Sequence, residues 1–359
     1  QARAFTATQI AKLSETAVAA FDASTFASLT ATQVKALTAT QIGALDAADL
    51  GEFTATQIAA LATTQVRAIA ATNMTALNET QIGALTSAQL QALSNTSLAA
   101  LADTQIAALS TSQASSLTAS QITALDETNI AEFTAAQLHS FTVTQVKALT
   151  STNMAALDAT QIGAFDATQI GTFTATTISA LADDQLAALT TTQIGALSAN
   201  QVKALTAANM GALTETQVGA FNMTQMQALT NTALSALVDT QVAALTATQL
   251  TALKTTQIAA LNATDMGELT TTQIAAFTNT QAQSLTSTQL GGLGSQIGIV
   301  LAAIVLIGAM VCAGATIAVP ARAAMSSAAA HRRKRFRIDF GPFTRQANEG
   351  LSDSFRKPF

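Results

Sequence analysis

Residues 29–44 read LTATQVKALTATQIGA, two copies of an eight-residue phrase that recurs 36 times from Phe5 to Gly292 without insertion or deletion. A register kept over this length means that each octad occupies an equivalent place in a regular array. We number the octad from its large apolar residue, which is Leu29 or Leu37 in these two copies. The repeat itself therefore decides the fold.

The spacing of apolar residues excludes the two simplest regular structures. They recur at positions 1 and 6, so that gaps of five and three residues alternate. A strand is excluded because positions 1 and 6 have opposite parity. A continuous α-helix is excluded because eight residues advance its phase by about 800°, and the apolar stripe would drift by roughly 80° per octad. A helix must therefore break once in each octad.

Positions 2 and 5 supply that break. Thr, Ser, Asp or Asn occupies position 2 in 30 of 36 copies, and Gln occupies position 5 in 25. Ser/Thr-x-x-Gln is the capping box, in which the hydroxyl and the Gln side chain each accept a hydrogen bond from the other residue's backbone N–H. The sequence predicts an all-α, solenoid-like coil of short capped helices that run from about position 3 to position 8. Positions 1, 6 and 8 should face the interior and positions 3, 4 and 7 the solvent, whereas the number of octads per turn and the handedness stay open.

The composition argues against an enzyme. The chain has no Trp, no Tyr, one Cys and two His, and charged residues make up only 10%. Catalytic acids, bases and metal ligands are therefore scarce, and we expect no cofactor and no metal site. Residues 1–292 carry 7 Lys and Arg against 18 Asp and Glu, so no nucleic-acid partner is expected.

An apolar segment from Ile297 to Val319 is the most specific functional signal. Its 23 residues, IGIVLAAIVLIGAMVCAGATIAV, carry no charge and suffice to cross about 30 Å of hydrocarbon as a helix. Lys and Arg are concentrated on its C-terminal side, which the positive-inside rule assigns to the cytoplasm or its virion equivalent, leaving the repeat extracytoplasmic. The central cluster on that side consists of Arg332, Arg333, Lys334, Arg335 and Arg337.

Small residues spaced four apart within this segment are typical of helix–helix contacts in membranes. The three pairs are Gly298 and Ala302, Ala309 and Ala313, and Gly314 and Ala318. An Ala-rich chain also produces such pairs by chance, so both interpretations stay open. The predicted organisation is a repeat coil over 1–292, a junction over 293–296, a transmembrane helix over 297–319, and a basic, Phe-containing cytoplasmic tail over 320–359.

These features favour a non-catalytic structural protein, a membrane-anchored stalk, spacer or assembly subunit of a surface filament, an envelope or a membrane-containing virion. Its partners would be the lipid bilayer and other protein subunits or copies of itself. The alternative is an adhesin or a scaffold-type binding module that uses the coil surface. A remote alternative is an ice-binding threonine array, suggested by Thr-x-Thr pairs such as Thr38 and Thr40. The capping role of the first Thr argues against it, and the small, mixed residues at positions 3, 4 and 7 favour a spacer.

Overall fold

The computed structural model describes residues 4–294, and these residues form a coil of short helices. Each octad contributes one helix, and no β-strand occurs within this range. The predicted all-α repeat fold is confirmed for these residues. The predicted transmembrane helix, Ile297–Val319, lies outside them.

The α-helices are four to six residues long. In chain order they cover Ala7–Ala11, Glu15–Ala19, Ala23–Ser28, Ala31–Ala36, Ala39–Gly43, Ala47–Gly51, Ala55–Ala60, Thr63–Ala68, Glu79–Gly83, Ser87–Ala92, Asn95–Ala99, Asp103–Ala107, Thr111–Ser116, Ala119–Ala124, Glu127–Ala131, Ala135–His139, Val143–Ala148, Ser151–Ala156, Ala159–Gly163, Ala167–Ile170, Ala175–Ala180, Asp183–Ala187, Thr191–Ala196, Ala199–Ala204, Ala207–Ala212, Glu215–Gly219, Met223–Ala228, Asn231–Leu234, Asp239–Ala244, Ala247–Ala252, Thr255–Ile258, Ala263–Glu268, Thr271–Ala275, Asn279–Gln283 and Ser287–Gly292. A 3₁₀ helix covers Ala71–Ala76.

The helices begin at position 3, as the octad predicts, and end between positions 6 and 8. At Thr54 the backbone is extended, with ψ 156°, and the helix Ala55–Ala60 starts directly after it. The Thr54 hydroxyl accepts from the Gln57 N–H at 3.3 Å, and the Thr54 N–H donates to Gln57 Oε1 at 2.7 Å. The helix ends at Leu61, where ψ returns to 139°. Where it is present, the capping box therefore sets the start of the helix, and the extended position 1 separates that helix from the next.

The 3₁₀ helix Ala71–Ala76 marks an octad in which both halves of the capping box are missing. Ala70 has no side-chain acceptor, and the shorter Asn73 side chain donates to the Leu45 carbonyl rather than capping. The Asn73 N–H instead bonds to the Ala70 carbonyl at 3.0 Å. A bond between residues three apart is the bond of a 3₁₀ helix. In the Ala102 octad the corresponding bond is accompanied by one from the Ile106 N–H to the Ala102 carbonyl at 3.0 Å, and the helix is α.

Each helix packs against the third helix along the chain. The helix Ala39–Gly43 packs on Thr63–Ala68, which in turn packs on Ser87–Ala92. Helices shorter than about 12 residues are marginal alone in water, so this stacking stabilises them. Roughly three octads thus make one turn of the coil.

The interior is one continuous hydrophobic cluster built from positions 1 and 6. Ile58 is fully buried and Leu61 is 5% exposed, which is typical of the two positions. Position 8, expected inside, is half-buried in most octads, as at Ala36 and Ala68, and buried at Ala92 and Ala252. The side chain at position 5, which is polar in most octads, is also buried in most of them.

Candidate functional surface

The side chain at position 5 joins each turn of the coil to the turn before it. Gln57 is 3% exposed, and its amide nitrogen donates to the Phe26 carbonyl at 2.7 Å and to the Leu29 carbonyl at 2.8 Å. Its oxygen accepts the N–H of Thr54. One amide therefore caps its own helix and bonds to the preceding turn, and a buried polar group becomes fully paired.

The same arrangement recurs along the coil and forms what we call the glutamine ladder. The glutamines that bond carbonyl oxygens both 28 and 31 residues back are Gln41, Gln57, Gln65, Gln81, Gln89, Gln105, Gln113, Gln121, Gln137, Gln145, Gln169, Gln185, Gln201, Gln217, Gln225, Gln241, Gln249, Gln257, Gln281 and Gln289. Sequence reasoning assigned Gln its capping role and missed these bonds between turns. A signal existed, because position 5 is never a large apolar residue, Glu, Lys or Arg.

Octads that lack a capping side chain at position 2 but have Gln at position 5 keep the glutamine half of the motif. Ala102 offers no side-chain acceptor, and the Gln105 N–H bonds instead to the Ala102 carbonyl at 2.9 Å. The Ala102 N–H still donates to Gln105 Oε1 at 2.7 Å. Glutamine therefore contributes more to the architecture than the threonine that precedes it.

Shorter residues at position 5 weaken the ladder. Asn153 and Asn209 each donate to a single carbonyl of the preceding turn, at 3.2 and 3.3 Å. The following residues, Met154 and Met210, are buried and occupy interior space with a flexible side chain. At Asn129 the capping half is lost as well, because its buried Oδ1 has no hydrogen-bond partner.

Asp265 places a carboxyl group where the ladder needs a donor. It is 3% exposed, and its Oδ2 accepts the Asn262 N–H at 2.7 Å. Burial raises the pKa of Asp265 above its usual range, the Asn262 N–H opposes the rise, and the nearby Asp239 carboxylate adds to it. Burial likewise raises the pKa of Asp49, the other carboxyl at position 5. An ionised carboxyl here cannot donate to the preceding turn as an amide does.

The outward positions carry small polar and apolar side chains. Thr38 Oγ1 accepts the Gln41 N–H at 3.1 Å and lies 3.0 Å from Thr40 Oγ1. The first hydroxyl of the Thr-x-Thr pair is thus engaged in capping, in agreement with the sequence argument against an ice-binding array. His139 at position 7 lies with Nδ1 2.8 Å from the Ala164 carbonyl oxygen of the next turn.

Open grooves run between turns of the coil. One of about 350 Å³ lies between residues 125–128 and 150–153, and one of about 470 Å³ lies among residues 31–35, 59–63 and 86–89. Between residues 4 and 294, no group of three or more His, Cys, Asp or Glu residues is placed to hold a metal ion. The described surface is a repeated pattern rather than one enclosed pocket.

The sequence-predicted functional residues all follow the described part of the chain. These are the segment Ile297–Val319 with its small-residue pairs and the basic cluster Arg332–Arg337. Within 4–294 itself, none of the helices has the length and apolar character that crossing a bilayer demands.

Comparison with known proteins gives one resemblance. No curated protein and no solved structure matches the chain. Within the coil, Ala188–Gln193 reads ALTTTQ. Residues 178–215 are similar to a family of short repeats described as the ALTTAQ repeat.

Proposed function

We propose that this protein is a non-catalytic structural protein, a membrane-anchored stalk, spacer or assembly subunit of a surface filament, an envelope or a membrane-containing virion. The coil would hold a fixed distance outside a membrane, and the segment Ile297–Val319 would anchor it there. Its partners would be the bilayer and further protein subunits, including copies of itself.

The glutamine ladder is the observation that carries the structural role. Each turn is bonded to the turn before it through buried amides, and the same bonds recur from Gln41 to Gln289. An array of equivalent turns grows in one dimension and sets a length by its repeat number. The uncharged segment followed by basic residues supports the anchor and its orientation.

Membrane flotation and protease protection test this role. The full chain should float with liposomes, and protease added on the cytoplasmic side of sealed membranes should remove the tail around Arg332–Arg337 and leave the repeat intact. Substituting Ile304→Arg together with Leu306→Arg should abolish flotation, because each Arg at the centre of a spanning helix costs about 2.5–3.5 kcal/mol on insertion scales.

The matched control places the same two charges on the coil, as Thr32→Arg and Thr40→Arg at exposed positions. This variant should float like the parent chain. A parent chain that stays in the soluble fraction, or a repeat that is cut from the cytoplasmic side, would refute the anchored stalk.

A further inference from the structure

Octads that are ten repeats apart share residues even at positions that vary between other octads. Residues 45–52 and 125–132, LDAADLGE and LDETNIAE, share an acidic cap, a shortened position 5 and a final Glu. Arg67 and Lys147 are likewise ten octads apart, both at position 7. A second period of ten octads is therefore superimposed on the basic repeat.

The interruptions of the glutamine ladder follow this longer period. Ten of the eleven non-Gln residues at position 5 are separated by steps of three or four octads, in the order Thr25, Asp49, Asn73, Ser97, Asn129, Asn153, Thr177, Asn209, Ala233 and Asp265. Nine steps cover thirty octads, so the mean step is about 27 residues. This step is one third of the ten-octad period.

Hydrogen bonds between turns span a range of separations that includes three and a third octads. In the described part of the chain they join residues 25 apart, as for Arg67 and Ala92, 27 apart, as for Lys254 and Gln227, and 28 to 31 apart in the ladder. All of these separations exceed the length of three octads. A turn of three and a third octads fits between them, so that ten octads complete three turns and equivalent positions ten octads apart lie on the same side of the coil.

If ten octads make three turns, acidic and basic side chains lie on two different sides of the coil. We define the acidic side as the third, sixth and tenth octads of every ten, counted from Phe5, and these octads are neighbours around a coil with three turns per ten octads. The acidic side holds 15 of the 18 carboxylates of residues 1–292 and no Lys or Arg. Its carboxylates are Asp22, Asp46, Asp49, Glu52, Glu79, Asp103, Asp126, Glu127, Glu132, Asp158, Asp183, Asp184, Asp239, Asp265 and Glu268.

The basic residues gather on the opposite side. We define the basic side as the first, second, fourth, fifth and eighth octads of every ten, which are also neighbours around the coil. It holds all six Lys and Arg of the octads, and only Glu15 and Asp166 among the carboxylates. The six are Lys12, Lys35, Arg67, Lys147, Lys203 and Lys254.

Contacts in the structure bring acidic octads together. The helices Glu79–Gly83, Asp103–Ala107 and Glu127–Ala131 stack in successive turns, with their first residues exposed. Asp239 and Asp265 are close enough for the first to raise the pKa of the second. Like charges placed side by side destabilise a fold, so this segregation is not explained by the stability of one coil.

We propose that copies of this chain pack side by side, with the basic side of one coil against the acidic side of the next. Opposite charges on opposite sides make the contact heterologous, so that each added copy presents a new surface to another. The inference rests on the structural role proposed above and names its partner, a second copy of the chain.

Sedimentation of the full chain in mild detergent tests the packing. Copies should associate in about 20 mM salt and separate in about 500 mM salt, because a surface ion pair is screened within a few ångströms at high ionic strength. The triple variant Glu79→Gln, Asp103→Asn, Glu127→Gln should weaken association at least tenfold. Circular dichroism should show unchanged helix content, since these exposed residues are not the capping side chains.

The control variant Glu15→Gln, Asp166→Asn, Glu215→Gln removes three carboxylates from outside the acidic side. Two of them lie on the basic side, so this variant should associate at least as well as the parent chain. Equal effects of the two triple variants would overturn the proposal, as would a chain that is monomeric in low salt. If the chain associates but does not float with liposomes, the proposed membrane anchor is wrong and the proposed side-by-side packing is supported.

Charge exchange provides a second test. The variant Arg67→Glu, Lys147→Glu and the variant Asp103→Lys, Glu127→Lys should each associate poorly alone. Mixed together they should form complexes that contain both, because each reversed side then meets its opposite. A mixture that remains unassociated would contradict pairing between these two sides.

Discussion

At the scale of single residues, Gln57 shows why position 5 favours an amide. Its oxygen accepts from the cap of its own helix, and its nitrogen donates to two carbonyls of the preceding turn. A hydroxyl is too short to make all three bonds, and a carboxylate lacks the donor. The side chain is also buried, so each missing bond leaves a polar group unpaired away from water.

Replacing Gln57 should therefore cost more than replacing its capping partner. We expect Thr54→Ala to lower the local free energy of opening by about 1 kcal/mol, and Gln57→Ala to lower it by about 2–4 kcal/mol, since two carbonyls lose their donor. Native-state hydrogen exchange of the Ile58 amide, which bonds to the Thr54 carbonyl, measures this local opening. Equal losses for the two variants would mean that the bonds between turns contribute little.

We expect Asp265 to make the stability of the coil depend on pH. Because its pKa is raised in the folded chain, protonation favours folding, and this stabilisation is lost as the pH rises through the raised value. We expect Asp265→Gln to stabilise the coil at neutral pH by about 1–2 kcal/mol by restoring a donor to the preceding turn. Thermal denaturation of both chains across pH 3–7 should show the advantage narrowing as the pH falls.

Asn209→Gln is the control, because Asn209 is already a neutral amide and gains only a second bond to the preceding turn. Its stabilisation should not depend on pH. An Asp265→Gln advantage that stays constant from pH 3 to pH 7 would show that folding does not raise the pKa of Asp265.

At the scale of elements, the sequence determines the helices almost completely. The Thr54 and Gln57 pair gave the helix start, and the apolar residue at Leu61 gave its end, because both are set by bonds within one octad. Two features were not predictable in this way. The half-buried position 8 and the bonds of Gln57 to Phe26 and Leu29 depend on which turn stacks beneath, and that contact spans about three octads.

The octad as structural unit can be tested by deletion. Removing residues 245–252 takes out one helix, Ala247–Ala252, and leaves every remaining octad in register. We expect a folded chain with proportionally less helical signal. Removing residues 245–248 should disrupt the coil locally, because position 5 residues would then face the wrong carbonyls. Equal melting temperatures for the two deletions would show that the octad is not the unit of packing.

At the scale of the whole molecule, the second period of ten octads was available in the sequence but had no meaning without a turn length. Asp46 and Asp126 lie on the same side of the coil only if one turn takes the inferred three and a third octads. The membrane segment, in contrast, was predicted without any knowledge of the coil. Its prediction from Ile297 to Val319 depends on length and apolar character alone and awaits the flotation experiment.

The glutamine ladder also decides how the coil would respond to mechanical tension. An axial pull loads the bonds between successive turns in series, so that the weakest junction opens first. Junctions at Asn129 or Asp265, where the amide bonds are incomplete, are the natural points of yielding. A turn of about 27 residues releases roughly 90 Å of extended chain when it opens, and its neighbours remain closed. Under tension such a coil would lengthen one turn at a time, and each opened turn would refold when the tension is removed.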